Sequence, residues 1–102
     1  IIEHQAVKTR LFEMFRKVEA ARSLNLKVVA HNAVNPKLEL AIASKVTSTQ
    51  TAMEVATAAL SIYGGAGITR ENPIEKLMRD ASVSVIEDGE NTLLGLIAAD
   101  RL

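Results

Sequence analysis

SIYGGAGITRENPIEKLMRDASVSVIEDG, residues 61–89, is the stretch on which the reading of this chain turns. Gly64, Gly65 and Gly67 form a glycine turn, and Gly64 closes the helix before it, as glycine does where the backbone turns left-handed. Asn72-Pro73-Ile74-Glu75 then reads as a helix start. Asn72 caps, Pro73 takes the first position and Glu75 reaches back. The spacing predicts a short helix to about Ala81, with Ile74, Leu77, Met78 and Ala81 facing inward. Ser82 to Ile86 alternates weakly and reads as extended. Glu87-Asp88-Gly89 is an acidic turn, and a last helix follows from about Asn91 with Leu93, Leu94, Leu96 and Ile97.

Upstream, residues Pro36 to Tyr63 carry Ile42, Val46, Thr49, Met53, Ala56, Leu60 and Tyr63 at steps of four and three. Between them lie mostly Ala, Ser and Thr, so other helices can approach this one closely on more than one face. It reads as the central helix. Before it, Glu3 to Ala33 repeats the same spacing through Val7, Leu11, Met14, Val18, Ala21 and Val28, with a gap at Asn25. That segment predicts a helix of roughly 45 Å. Asn35-Pro36 breaks the pattern, with Asn35 as cap and Pro36 in the first turn of the next helix. So short a connection makes the two helices antiparallel. The expectation is one domain over residues 1–102, all-α, a four-helix up-and-down bundle.

Composition bounds the function. Aromatic residues make up 3%, so the core is aliphatic. Twelve basic residues balance twelve acidic ones, which gives no support to a nucleic-acid or anionic-membrane partner. With no cysteine there is no disulfide, thiol nucleophile or Cys-ligated metal, a usage compatible with cytoplasm or an organelle matrix. His4 and His31 are too far apart on one helix to share a metal. No apolar run reaches the ~18 residues of a membrane span. The chain opens at Ile1-Ile2 without Met, which suggests a piece of a longer protein.

Five blocks then align, in order, with a known family. They are Ile2-Glu3-His4-Gln5-Ala6-Val7, Val18-Glu19-Ala20-Ala21-Arg22, Thr51-Ala52-Met53-Glu54-Val55, Tyr63-Gly64-Gly65-Ala66-Gly67-Ile68 and Pro73-Ile74-Glu75-Lys76-Leu77-Met78-Arg79-Asp80-Ala81. Over essentially its whole length the chain resembles the C-terminal helical domain of the flavin-dependent acyl-CoA dehydrogenases. The resemblance implies a four-helix bundle that joins subunits into dimers or tetramers. It also implies an N-terminal helical domain and a middle β-domain that are absent from these 102 residues. The implied reaction is oxidation of an acyl-CoA thioester at Cα and Cβ, with a carboxylate removing the α-proton and FAD accepting the β-hydride. The isolated chain is then expected to be inactive.

The family's catalytic glutamate, in a Tyr-Glu-Gly tract, falls on Asp88 before Gly89, one methylene shorter. Glu87 has the right length but stands where the family has an aromatic residue. Some branches carry the base on an upstream helix, outside this chain. A plain acidic turn ahead of a helix N-terminus accounts for the same residues. Gly64, Gly65 and Gly67 fall on the turn that meets the FAD pyrophosphate. Three positions depart from the family's pattern: Ser61, where it often has glutamine, and Glu90 and Leu94 after the turn. An acidic Glu90 beside a pyrophosphate is repulsive. Arg79-Asp80 reads as structural ion pairing. The alternative function is a non-catalytic oligomerisation or interaction module derived from that family.

Overall fold

Helix α2, Leu38–Tyr63, touches every other helix. Against it pack α1 (Ile2–Val34), α3 (Pro73–Ser84) and α4 (Asn91–Ala99), and these three make no backbone contact with one another among the described residues. The computed structural model describes residues 2–64, 73–87 and 89–102. Its described residues are four helices without a strand, the all-α four-helix fold expected above. The cap expected at Asn72 lies outside them.

Antiparallel pairing of α1 and α2 is written in its cross-links. Arg10 Nη1 donates to Ser61 Oγ at 3.4 Å, Lys17 pairs with Glu54 at 2.9 Å, and Ser48 Oγ donates to Asn25 Oδ1 at 2.9 Å. Each step along one helix is matched by a step back along the other. Asn25, the gap in the apolar stripe of α1, is thus a polar tie that also accepts from Ser44. Ala21 and Val28 on α1 and Ile42 on α2 are buried around it.

Three local expectations are corrected. The second helix starts at Leu38, after an extended Lys37, and not at Pro36. Asn35 does not cap it. Asn32, in the last turn of α1, accepts from the Lys37 N–H at 3.1 Å and donates to the Lys37 carbonyl at 3.2 Å. One amide side chain thus bonds both backbone polar groups of Lys37, the residue before α2, and no side chain caps the helix there. Residues 82–84 continue α3 as helix and residues 85–87 form a turn. Ile86 and Glu87 there donate backbone N–H bonds to the Val83 carbonyl, so this segment folds on itself and is not extended. Glu75 pairs forward with Arg79 at 2.9 Å, four residues on, so Arg79 takes its partner from Glu75.

The small residues of α2 do not close every gap. An apolar cavity of about 450 Å³ lies among α1, α2 and α3, lined by Val18, Val55, Ala56, Ile74 and Leu77. The molecule is long, 49 × 26 × 20 Å, with α1 running its length. Its radius of gyration is 16.0 Å, against about 13 Å for a compact chain of this length. It exposes 7274 Å², where a compact monomer of this mass exposes about 5,600 Å². Phe12, Phe15, Leu26 and Val29 stand exposed on the outer side of α1. Among the described residues no helix is long and apolar enough to cross a membrane.

Candidate functional site

Two features that the sequence singles out lie at the two ends of α2. At its C-terminus, Gly64 takes φ 62° and ψ −138°, a conformation that side chains resist, and its N–H donates to the Leu60 carbonyl. A Cβ added at Gly64 would meet no atom of the described residues within 4 Å, so they leave its exposed backbone open to close approach. Its amide is already spent on Leu60, so Gly64 offers approach rather than a donor. Gly65 and Gly67 lie outside the described residues. Beside this end an open cleft of about 650 Å³ runs between α1 and α2, with Arg10, Lys17, Met53, Glu54 and Ser61 on its walls.

Near the N-terminal end of α2 hangs the turn between α3 and α4. Asp88, the expected base, lies outside the described residues, and so its contacts do too. Its neighbours are well defined. Glu87 is exposed. Gly89 adopts φ 119°, and a Cβ there would come within 2.9 Å of Leu94 Cδ2. The positive φ favours glycine at this position, and a side chain there would also push the Leu94 side chain aside.

Glu90 has a structural role of its own. Its carboxylate turns onto its own helix and caps α4, accepting from the Leu93 N–H at 3.1 Å. The backbone N–H groups of Thr92 and Leu93 hold its pKa below the usual carboxylate value; burial opposes them, and the Thr92 hydroxyl and the charge of Lys45 add lesser contributions in the same downward direction. The ionised carboxylate is thereby held at the N-terminus of α4, where negative charge is favoured.

The strongest polar cluster was not read from the sequence. Lys45, on α2, sends its ammonium to the Val85 carbonyl at 3.2 Å, the Gly89 carbonyl at 2.9 Å and Asn91 Oδ1 at 2.6 Å. Asn91 is buried, and its other amide atom donates to Thr49 Oγ1 at 2.9 Å. One signal was available: Lys45 is the lone charge between Glu39 and Glu54 on a helix of small neutral residues. Among the described residues, no group of three or more His, Asp or Glu side chains is placed to hold a metal.

The family model for the acyl-CoA dehydrogenase C-terminal domain matches residues 1–102. The chain belongs to the acyl-CoA dehydrogenase family. It is 38% identical over 100 residues to the probable acyl-CoA dehydrogenase FadE25 of Mycobacterium tuberculosis, a match covering 96% of this chain and 26% of the relative. Cyclohexane-1-carbonyl-CoA dehydrogenase of Geobacter metallireducens is 30% identical over all of this chain and 27% of its own length. A short-chain specific acyl-CoA dehydrogenase of Megasphaera elsdenii is 32% identical, again over 100% of this chain and 27% of its own. Among solved structures, one of the electron transferring flavoprotein of Acidaminococcus fermentans, concerned with flavin-based electron bifurcation, contains a chain that superposes with a TM-score of 0.87. The identity is 34%, over 93% of this chain and 25% of that one. The 102 residues therefore span about a quarter of the relatives they match, and within the acyl-CoA dehydrogenase family they correspond to its C-terminal domain.

Proposed function

We propose that this chain works as the C-terminal domain of a flavin-dependent acyl-CoA dehydrogenase, with Asp88 as the base and Gly64, Gly65 and Gly67 against FAD. The observation that carries the reading is the match to the family's C-terminal domain along all 102 residues. Asp88 takes the α-proton of the acyl-CoA thioester onto its carboxylate. The β-hydrogen leaves with its electron pair, and a double bond forms between Cα and Cβ. FAD, when bound, supplies the acceptor for that hydride. The glycine backbone at Gly64 suits close approach by the cofactor, and Glu90, whose carboxylate caps α4, belongs to the support of the turn and not to the cofactor contact. The N-terminal and middle domains complete the flavin and acyl pockets, in the cytoplasm or an organelle matrix.

A second role is favoured by the outer side of α1. Phe12, Phe15, Leu26 and Val29 stand exposed together on one helix, and self-association of the bundle would cover them. On this reading the domain joins subunits as well as contacting the cofactor.

The test is turnover of an acyl-CoA with an artificial electron acceptor, comparing the full-length protein with the isolated 102 residues. The full-length protein reduces the dye and the isolated chain does not. Dye reduction by the isolated chain, or none by the full-length protein with short-, medium- and long-chain thioesters, contradicts the reading.

A further inference from the structure

Lys45 has three N–H donors and three acceptors within reach, so its ammonium is saturated. Two of those acceptors, the carbonyls of Val85 and Gly89, belong to residues on either side of Asp88 in the chain. The third, Asn91 Oδ1, begins α4. The cluster closes on itself. Asn91 donates to Thr49 Oγ1 at 2.9 Å, and the Thr49 hydroxyl donates to the Lys45 backbone carbonyl at 2.8 Å. The Val85 carbonyl also accepts the Asn91 backbone N–H at 3.2 Å. α2 thereby grips the α3–α4 turn at both of its ends.

A cation is an odd choice for this place if structure alone is at stake. It sits at the N-terminus of α4, where the helix dipole disfavours positive charge. Glu90 already caps that terminus. What a lysine offers is three charge-assisted donors on one atom, which fix two carbonyls and a side chain in a single relation.

We infer that Lys45 is a positioning residue for the reaction, holding the backbone before and after the proposed base, at Val85 and Gly89, in one fixed relation. The inference rests on the reading of Asp88 as the base. A displacement of about 1 Å at a reacting group costs on the order of 100-fold in rate.

The test uses the full-length flavin-loaded protein with Lys45→Met, Lys45→Arg, Asp88→Asn and the double variant. Lys45→Met lowers kcat by about 10- to 100-fold, while KM and flavin content stay within about twofold. Lys45→Arg recovers most of the loss. In the Asp88→Asn background Lys45→Met has no further effect on the residual rate, because there is no base left to position. Hydrogen exchange in the same variant quickens at the amides of residues 86–93 and not along α1. The inference is overturned if Lys45→Met costs the same factor with and without Asp88, or if kcat merely follows the folded fraction. An Asp88→Asn protein that is dead beside a Lys45→Met protein at full rate leaves the base in place and removes only the role of Lys45. Full turnover by Asp88→Asn removes both. If Lys45→Met does not accumulate as folded protein, Lys45→Gln, with a shorter neutral donor, supplies the same comparison.

Discussion

At the foot of α4, Asn91 is 7% exposed and both atoms of its amide are bonded within the chain. On the outer side of α1, Leu26 is 64% and Val29 70% exposed, and no described residue covers them. The two regions differ in what their physics demands. A buried polar group needs partners at fixed distance and angle, so the chain supplies them itself from residues 42 and 46 positions away. Apolar area is non-directional, and any matching surface covers it. The chain completes its polar cluster and leaves its apolar face for something else to meet.

If the completed side is also where the chemistry lies, Asp88→Asn has the largest effect. In the full-length protein kcat falls by about 10²- to 10⁴-fold with flavin content unchanged, as measured by dye reduction. Breaking the polar cluster comes next. Asn91→Ala strips a charged donor and a hydroxyl of their partner and lowers stability by about 2–3 kcal/mol, read by denaturant unfolding. Gly89→Ala adds a Cβ 2.9 Å from Leu94 at a left-handed φ, for a loss of about 1–3 kcal/mol in the same assay.

The apolar side behaves in the opposite way. Leu26→Ser with Val29→Ser leaves unfolding of the dissociated domain within about 0.5 kcal/mol, yet weakens self-association by about 1–2 kcal/mol in sedimentation. Equal losses in both assays would mean the face is internal to one subunit. The smallest effect is at Glu90. Its folded pKa is lowered, so its capping contribution is complete above the ordinary carboxylate range and lost as pH falls through the lowered value. Glu90→Gln therefore lowers Tm slightly at neutral pH, and the difference closes in acid.

Helix positions were legible because each has a local cause. The four-three spacing along α1 and α2, the glycine at 64 and the proline at 73 act within a few residues of themselves. Even the gap at Asn25 was visible, although its partners, Ser44 and Ser48, were not. What stayed hidden depends on distant parts of the chain. Asn32 displaced Asn35 as the tie at the start of α2, since a side chain on the previous helix reached Lys37. Glu90 looked misplaced when weighed against a phosphate and proved to serve its own helix. The Lys45 cluster joins residues more than forty positions apart, and periodicity carries no trace of such a pairing. The apolar stripe of α1 was legible as a seam, yet how much of it is covered was not: Val7, Leu11 and Val18 remain partly open.

The most direct measurement is the anaerobic mixing of the full-length protein, as its own cell makes it, with acyl-CoA thioesters of graded length while the visible absorbance of its flavin is followed. The account predicts that a flavin copurifies and that at least one thioester bleaches it within a turnover. A protein that carries no flavin, or one whose flavin stays oxidised with every thioester, would contradict it.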